Sequence, residues 1–136
     1  MSVTAIVLLG VPGSGKGTMA EAIKKSKGYI HIATGDMLRE AIEEGTLFGS
    51  KAKSYMDKGD LVPDDVILKI VMDRLDKGSD NCKYMFDGFP RTLTQAKLLD
   101  MHFAQRNAKL VFVFLLVVPE EVTLARLMGR RVCRKC

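Results

Sequence analysis

The sequence predicts an α/β fold with helices packed on a parallel sheet. Three observations lead there. Short β-branched, apolar stretches alternate with segments of helical spacing along the whole chain. A glycine loop, GVPGSGKGT at residues 10–18, lies between the first apolar stretch and the first helical one. The gap between the second and third strands, residues 34–82, is long for a crossover and mostly helical in pattern, which predicts a small helical subdomain on the sheet's rim.

The elements follow in order. VTAIVLL (Val3–Leu9) is apolar at every position, as a strand covered on both faces must be. MAEAIKKSK reads as helix and is closed by Gly28. YIHIA (Tyr29–Ala33) is a second short strand. TGDMLREAIEEG opens with cap-type residues, sets Leu38, Ala41 and Ile42 on one helical face, and ends at Gly45. GSKAKSYMDKG is a further short helix. VPDDVILKIVMDRLDKG carries Pro63 and two acids in its first turn, apolar spacing at Ile67, Ile70 and Val71, and Gly78 as its stop. KYMFD (Lys83–Asp87) is a third strand ending in an acid. TLTQAKLLDMHFAQRN is a helix with a threonine cap. LVFVFLLVV (Leu110–Val118) is a fourth strand, apolar on both faces. Pro119 opens PEEVTLARLMGRR, a helix with proline at its first position.

Composition narrows the function classes. Hydrophobic content of 47% with 27% charge describes a folded domain, not a disordered chain. The net charge of +5 suits anionic partners. The basic residues are dispersed and few aromatics stand among them, which argues against nucleic acid. The apolar start is short, lacks a basic flank and runs into the glycine loop, so it does not read as a secretory signal. Leu110–Val118 is far below the roughly twenty residues that span a bilayer, so no membrane is expected. An uneven cysteine number, three, argues against a disulfide framework and for a reduced, cytoplasmic setting.

The residues that carry chemistry begin with Gly10-Val11-Pro12-Gly13-Ser14-Gly15-Lys16. This fits G-x-x-x-x-G-K in the required context, after a strand and before a helix. Glycines leave room for main-chain N–H groups to point inward, and these donors with the following helix N-terminus make an anion cradle. Lys16 adds a mobile cation. The pattern asks for Ser or Thr directly after the lysine to hold Mg²⁺; here Gly17 stands there and Thr18 follows. Asp87, at the C-terminal end of a strand, is the carboxylate that would hold Mg²⁺ through water. His31 and His102 read as structural.

The segments GVPGSGKGT, TGDMLR, DGFPRT and GRR, in that order, resemble the nucleoside monophosphate kinases, and among them the adenylate kinases. The resemblance covers the whole chain, and Gly17-Thr18 is the family's own form of the loop. It implies a P-loop sheet in the order 2-3-1-4 with a fifth strand beyond. It implies a core at residues 1–32 and 63–128, an AMP-binding subdomain at 33–62 and the start of a lid at 129–136. It implies transfer of a phosphoryl group from ATP to AMP, by a monomer, with UMP or CMP as the competing acceptors and a non-catalytic nucleotide-binding module as the competing class. Gly13, Ser14, Gly15, Lys16, Gly17 and Thr18 would bind ATP phosphates, with Arg130. Thr34, Arg39, Asp60, Leu61, Val62, Gly88, Phe89, Pro90 and Arg91 would hold AMP, with Gln95 reading its base. Lys16, Arg91, Arg126, Arg130 and Asp87 would carry catalysis, and Arg131 stays undecided between the site and a solvated surface.

The lid of many bacterial members holds a structural zinc on two cysteine pairs, and Cys133 and Cys136 match the first pair. Tetrahedral zinc needs four ligands, so these two would be a half-site. The chain is therefore expected to be the N-terminal part of a longer enzyme, impaired on its own.

Overall fold

A computed structural model describes residues 3–78 and 81–135. The described residues form four strands and six helices, in the order β1 (Thr4–Leu9), α1 (Lys16–Lys27), β2 (Ile30–Ala33), α2 (Thr34–Glu43), α3 (Leu47–Asp57), α4 (Asp64–Asp76), β3 (Lys83–Asp87), α5 (Leu93–Gln105), β4 (Lys109–Leu115) and α6 (Glu120–Met128). All strand pairs are parallel, in the order β2-β3-β1-β4. Both the fold class and the strand order agree with expectation.

The sheet forms because its central strands have no polar face. On β1, Ala5, Ile6, Val7 and Leu8 are all buried, and on β3 Tyr84, Met85 and Phe86 are. Such strands are stable only with helices on both sides. One face packs on α4 and α5 through Val7, Ile32, Val71, Leu75, Phe86, Leu99 and Phe103; the other packs Ile6, Leu8 and Met85 against Ala20 of α1. Burying each large side chain contributes about 1.5–3 kcal/mol. Phe86 touches both Phe89 and Phe103 as tilted ring pairs, at centroid distances of 5.8 and 6.1 Å.

Three elements differ from the sequence reading. The first helix begins at Lys16, three residues early, because Gly15 takes the left-handed conformation (φ 98°) of its cap. Gly17 and Thr18 then fall in its first turn. The third helix begins at Leu47, earlier than read, because the Thr46 side chain accepts a hydrogen bond from the Gly49 N–H. The fourth strand, apolar on both faces in sequence, is exposed at every position and stops at Leu115. It lies at the sheet's edge beside β1, and the contact of α5 with it leaves its positions exposed.

The register of the sheet positions the site. Leu8 of β1 stands opposite Asp87 of β3, and Asp87 stands opposite Ala33 of β2. Three chain segments therefore leave the sheet side by side at its carboxyl edge, where parallel sheets present ligand-binding loops. No described helix is long and apolar enough to cross a membrane.

Candidate functional site

A cleft of ≈ 1190 Å³ opens along that edge. Residues 12–19 form its floor, Thr34 and Gly35 one wall, Asp87, Gly88 and Arg91 the back, and Arg126 and Arg130 the opposite rim. Twelve of the residues singled out in sequence meet there: Gly13, Ser14, Gly15, Lys16, Gly17, Thr18, Thr34, Asp87, Gly88, Arg91, Arg126 and Arg130.

The floor owes its shape to its glycines. Gly13 has φ 82°, and a Cβ there would meet Thr123 O and Leu127 Cγ at 3.2 Å, so no side chain fits without displacing α6. Helix α1 starts here with no side-chain cap and no acidic residue in its first turn. Its leading N–H groups and the positive end of its dipole are thus not neutralised by an acid of the helix's own first turn. Ser14 Oγ is buried and has no hydrogen-bond partner, an orphaned donor on the cleft floor.

The cations are held in readiness by main-chain carbonyls. Lys16 Nζ donates to Gly10 O at 2.7 Å and to Val11 O at 3.2 Å. Arg126 Nη1 donates to Gly13 O at 3.2 Å, and Arg91 Nε to Gly88 O at 2.7 Å. Among the described residues none of these three forms a salt bridge, so no carboxylate competes for them. Among the described residues that line the cleft, Asp87 is the single carboxylate. Its Oδ2 lies 3.1 Å from His31 Nε2.

Several named residues lie elsewhere. Arg39 pairs with Asp36 on the exposed side of α2. Asp60 is exposed and Leu61 is 93% exposed, while Val62 packs on the core. The Phe89 side chain is buried in the core, and its bond to Pro90 is cis. Gln95 is only 3% exposed; its Oε1 accepts from the Arg91 N–H and its Nε2 donates to Asp64 Oδ1, both at 2.7 Å. Cys133 is exposed and Cys136 lies outside the described residues. Among the described residues no group of three or more His, Cys, Asp or Glu could hold a metal ion, so a closed zinc site is not assembled from them.

Two contributors escaped the sequence reading. His31, read as structural, bonds the one acid of the cleft. Positions 31 and 87 lie on neighbouring strands, offset by two residues, and only the register reveals that they meet. Asp64 looked like an ordinary first-turn acid, yet it ties the chain after Pro90 to α4 through Thr92 and Gln95.

Comparison with known proteins adds to this geometry. The adenylate kinase family model matches residues 8–132. An adenylate kinase of Geobacillus sp. (strain WCH70) is 49% identical over 133 residues, which is 96% of this chain and 61% of that protein. An adenylate kinase of Archaeoglobus fulgidus is 49% identical over 131 residues, covering 96% and 60%. One of Desulforamulus reducens is 50% identical over 131 residues, covering 96% and 62%. The chain thus spans about three fifths of the length of the curated relatives it matches.

Proposed function

This chain belongs to the adenylate kinase family, and on that premise we propose that the protein carrying it transfers the terminal phosphoryl group of ATP to AMP, giving two ADP. The observation that carries the reading is the single cleft in which the glycine loop, the open α1 N-terminus and the cations Lys16, Arg91, Arg126 and Arg130 surround one carboxylate. Two polyanions must be brought together for this reaction, and their repulsion must be offset. Phosphoryl transfer asks for positioning and charge, with little covalent work from the protein. The cleft's inventory suits that demand: main-chain donors, four cations and no nucleophile–base pair.

Roles follow from position. Residues 13–18 would cradle the ATP phosphates, with Lys16 leaving its carbonyls for the outer ones. Arg91, fixed to the loop after β3, would hold the acceptor phosphate, and Thr34 its other side. Arg126 and Arg130 would meet charge that develops between donor and acceptor, where a planar guanidinium can bind two oxygens at once. Mg²⁺, a hard cation that prefers oxygen and keeps its waters, supplies charge neutralisation when bound with ATP. Asp87 would hold it through water, since it lines the same cleft as Thr18. We read residues 33–62 as the acceptor-binding subdomain, with Asp60 and Leu61 exposed at its end and Arg39 on its surface; these three would have to approach the cleft by its movement.

The test is an assay of the full-length protein with ATP and Mg²⁺ and each of AMP, UMP and CMP. Formation of two ADP per AMP, with slower use of the pyrimidines, is expected. Tight binding of a bisubstrate dinucleotide without turnover would instead indicate a binding module and overturn the reading.

A further inference from the structure

A second cavity, of ≈ 340 Å³, opens at the sheet's amino edge, where the ends of α4 and α5 meet the start of β3. The six residues of β1 separate this edge from the glycine-loop cleft by about 20 Å. No described residue lines both. Among the described residues, two polar atoms of its wall are buried without a hydrogen-bond partner, the Tyr84 hydroxyl and His102 Nε2. Tyr84 is only 2% exposed. Gly78, on the same wall, makes room for its hydroxyl. The glycine takes no left-handed φ, yet a Cβ there would overlap the Tyr84 oxygen. Buried polar atoms are normally partnered, so two orphans on one cavity ask for an occupant that bonds to them.

The charges of the wall are already matched. Arg106 Nη2 pairs with Asp76, and its Nη1 donates to Leu75 O at 3.3 Å. Asp76 Oδ1 lies 3.7 Å from His102 Nε2, beyond hydrogen-bond reach. Burial lowers the His102 pKa and raises that of Tyr84, so both side chains stay neutral in near-neutral water. An anion here would compete with Asp76, and a cation with Arg106, so the wall favours a neutral molecule. With both terminal nitrogens engaged, what Arg106 chiefly offers is its flat face, which stacks on aromatic rings. Val3, Leu75, Phe103 and Ala108 supply the apolar part of the wall. A cavity of about 150 Å³ admits benzene, so this one has room for one or two fused rings.

We propose that this cavity is a second small-molecule site, for a neutral aromatic of one or two rings whose edge carries a hydrogen-bond donor and an acceptor. A phenol both donates and accepts, and a neutral imidazole Nε2 does one or the other according to its tautomer. An edge that offers both groups therefore pairs with Tyr84 and His102 together. The site stands apart from the glycine-loop cleft, so its ligand and the nucleotides bind without competing.

The probe is 7-azaindole, a neutral two-ring molecule with an N–H beside a ring-nitrogen acceptor. It is titrated into the full-length protein, with and without a bisubstrate dinucleotide, and followed by protein-observed NMR. Saturable shifts at the Tyr84 and His102 rings are expected, with a dissociation constant on the order of 1 mM or tighter for a molecule this small. The affinity should be the same with the dinucleotide present. Tyr84→Phe removes only the hydroxyl and should weaken binding by about fivefold or more. Its thermal midpoint should hold or rise, since an orphaned group is lost. His102→Phe, which keeps a ring and removes Nε2, should weaken binding as well. No saturation up to about 10 mM overturns the proposal, because the cavity then takes solvent only. Unchanged affinity in either variant overturns it by placing the probe elsewhere. Loss of binding when the dinucleotide is added overturns it by placing the probe in the glycine-loop cleft.

Discussion

Lys16 illustrates how a single residue is prepared for work it is not yet doing. Its ammonium rests on Gly10 O and Val11 O, so its position is set before any anion arrives. Replacing Lys16 with Met keeps the stem and removes the charge. In the full-length protein, kcat/KM for ATP should fall by about 100-fold or more, the usual scale for one preorganised electrostatic contact. Steady-state kinetics with ATP varied would show it, and a change under threefold would contradict the role. The phosphate-loop residues were legible in sequence because glycine spacing is itself the signal. His31 and Asp64 were not. His31 lies 56 positions from Asp87, and Asp64 lies 31 from Gln95. No local pattern encodes such meetings, because they depend on register and packing.

At the scale of elements, helix contacts are decided by small residues. Gly49 sits in the first turn of α3, where alanine would ordinarily favour a helix by up to about 1 kcal/mol. Here a Cβ would lie 2.0 Å from Ala41 O of α2. Gly49→Ala should therefore destabilise the protein by about 1–3 kcal/mol, as other overpacking changes do. Denaturant unfolding would measure it, and a stabilised variant would show that α2 and α3 do not meet this closely. The element order and the bounds of β3 were readable because strand runs were short, apolar and bounded by turn residues, as KYMFD is by Gly88. The exposure of β4 was not, since its sequence matches that of a central strand. A strand's composition reports the covering it is built for, while its place in the sheet depends on its neighbours.

For the molecule as a whole, acid stability tests the far end of the sheet. His102 has its pKa lowered from the ordinary value of 6.5, first by burial and then by the Arg106 guanidinium, with Asp76 opposing. A depressed pKa means that the unfolded chain takes up the proton more readily than the folded one. This contribution to stability is complete above about pH 6.5 and is lost as pH falls through the folded value. Thermal midpoints should decline as pH drops below 6.5, and His102→Gln should flatten that decline. An unchanged pH slope in the variant would exclude His102 as its source. At the alkaline limit, burial pushes the Tyr84 phenol up to about 12. The folded state keeps that proton, so its contribution is lost as pH rises above the ordinary value of 10.

The resting contacts of Lys16, Arg91 and Arg126 with their own loops set a threshold for what can enter the cleft. Each is a modest bond to a neutral carbonyl, easily exchanged singly, yet a visitor must displace them together to gain the site's full charge. Chloride or a lone carboxylate can engage one cation and leaves the others where they were. A chain of phosphates spans several at once and replaces each carbonyl with a charged oxygen. On the proposed function, the cleft would filter the anions of its surroundings by valence and length.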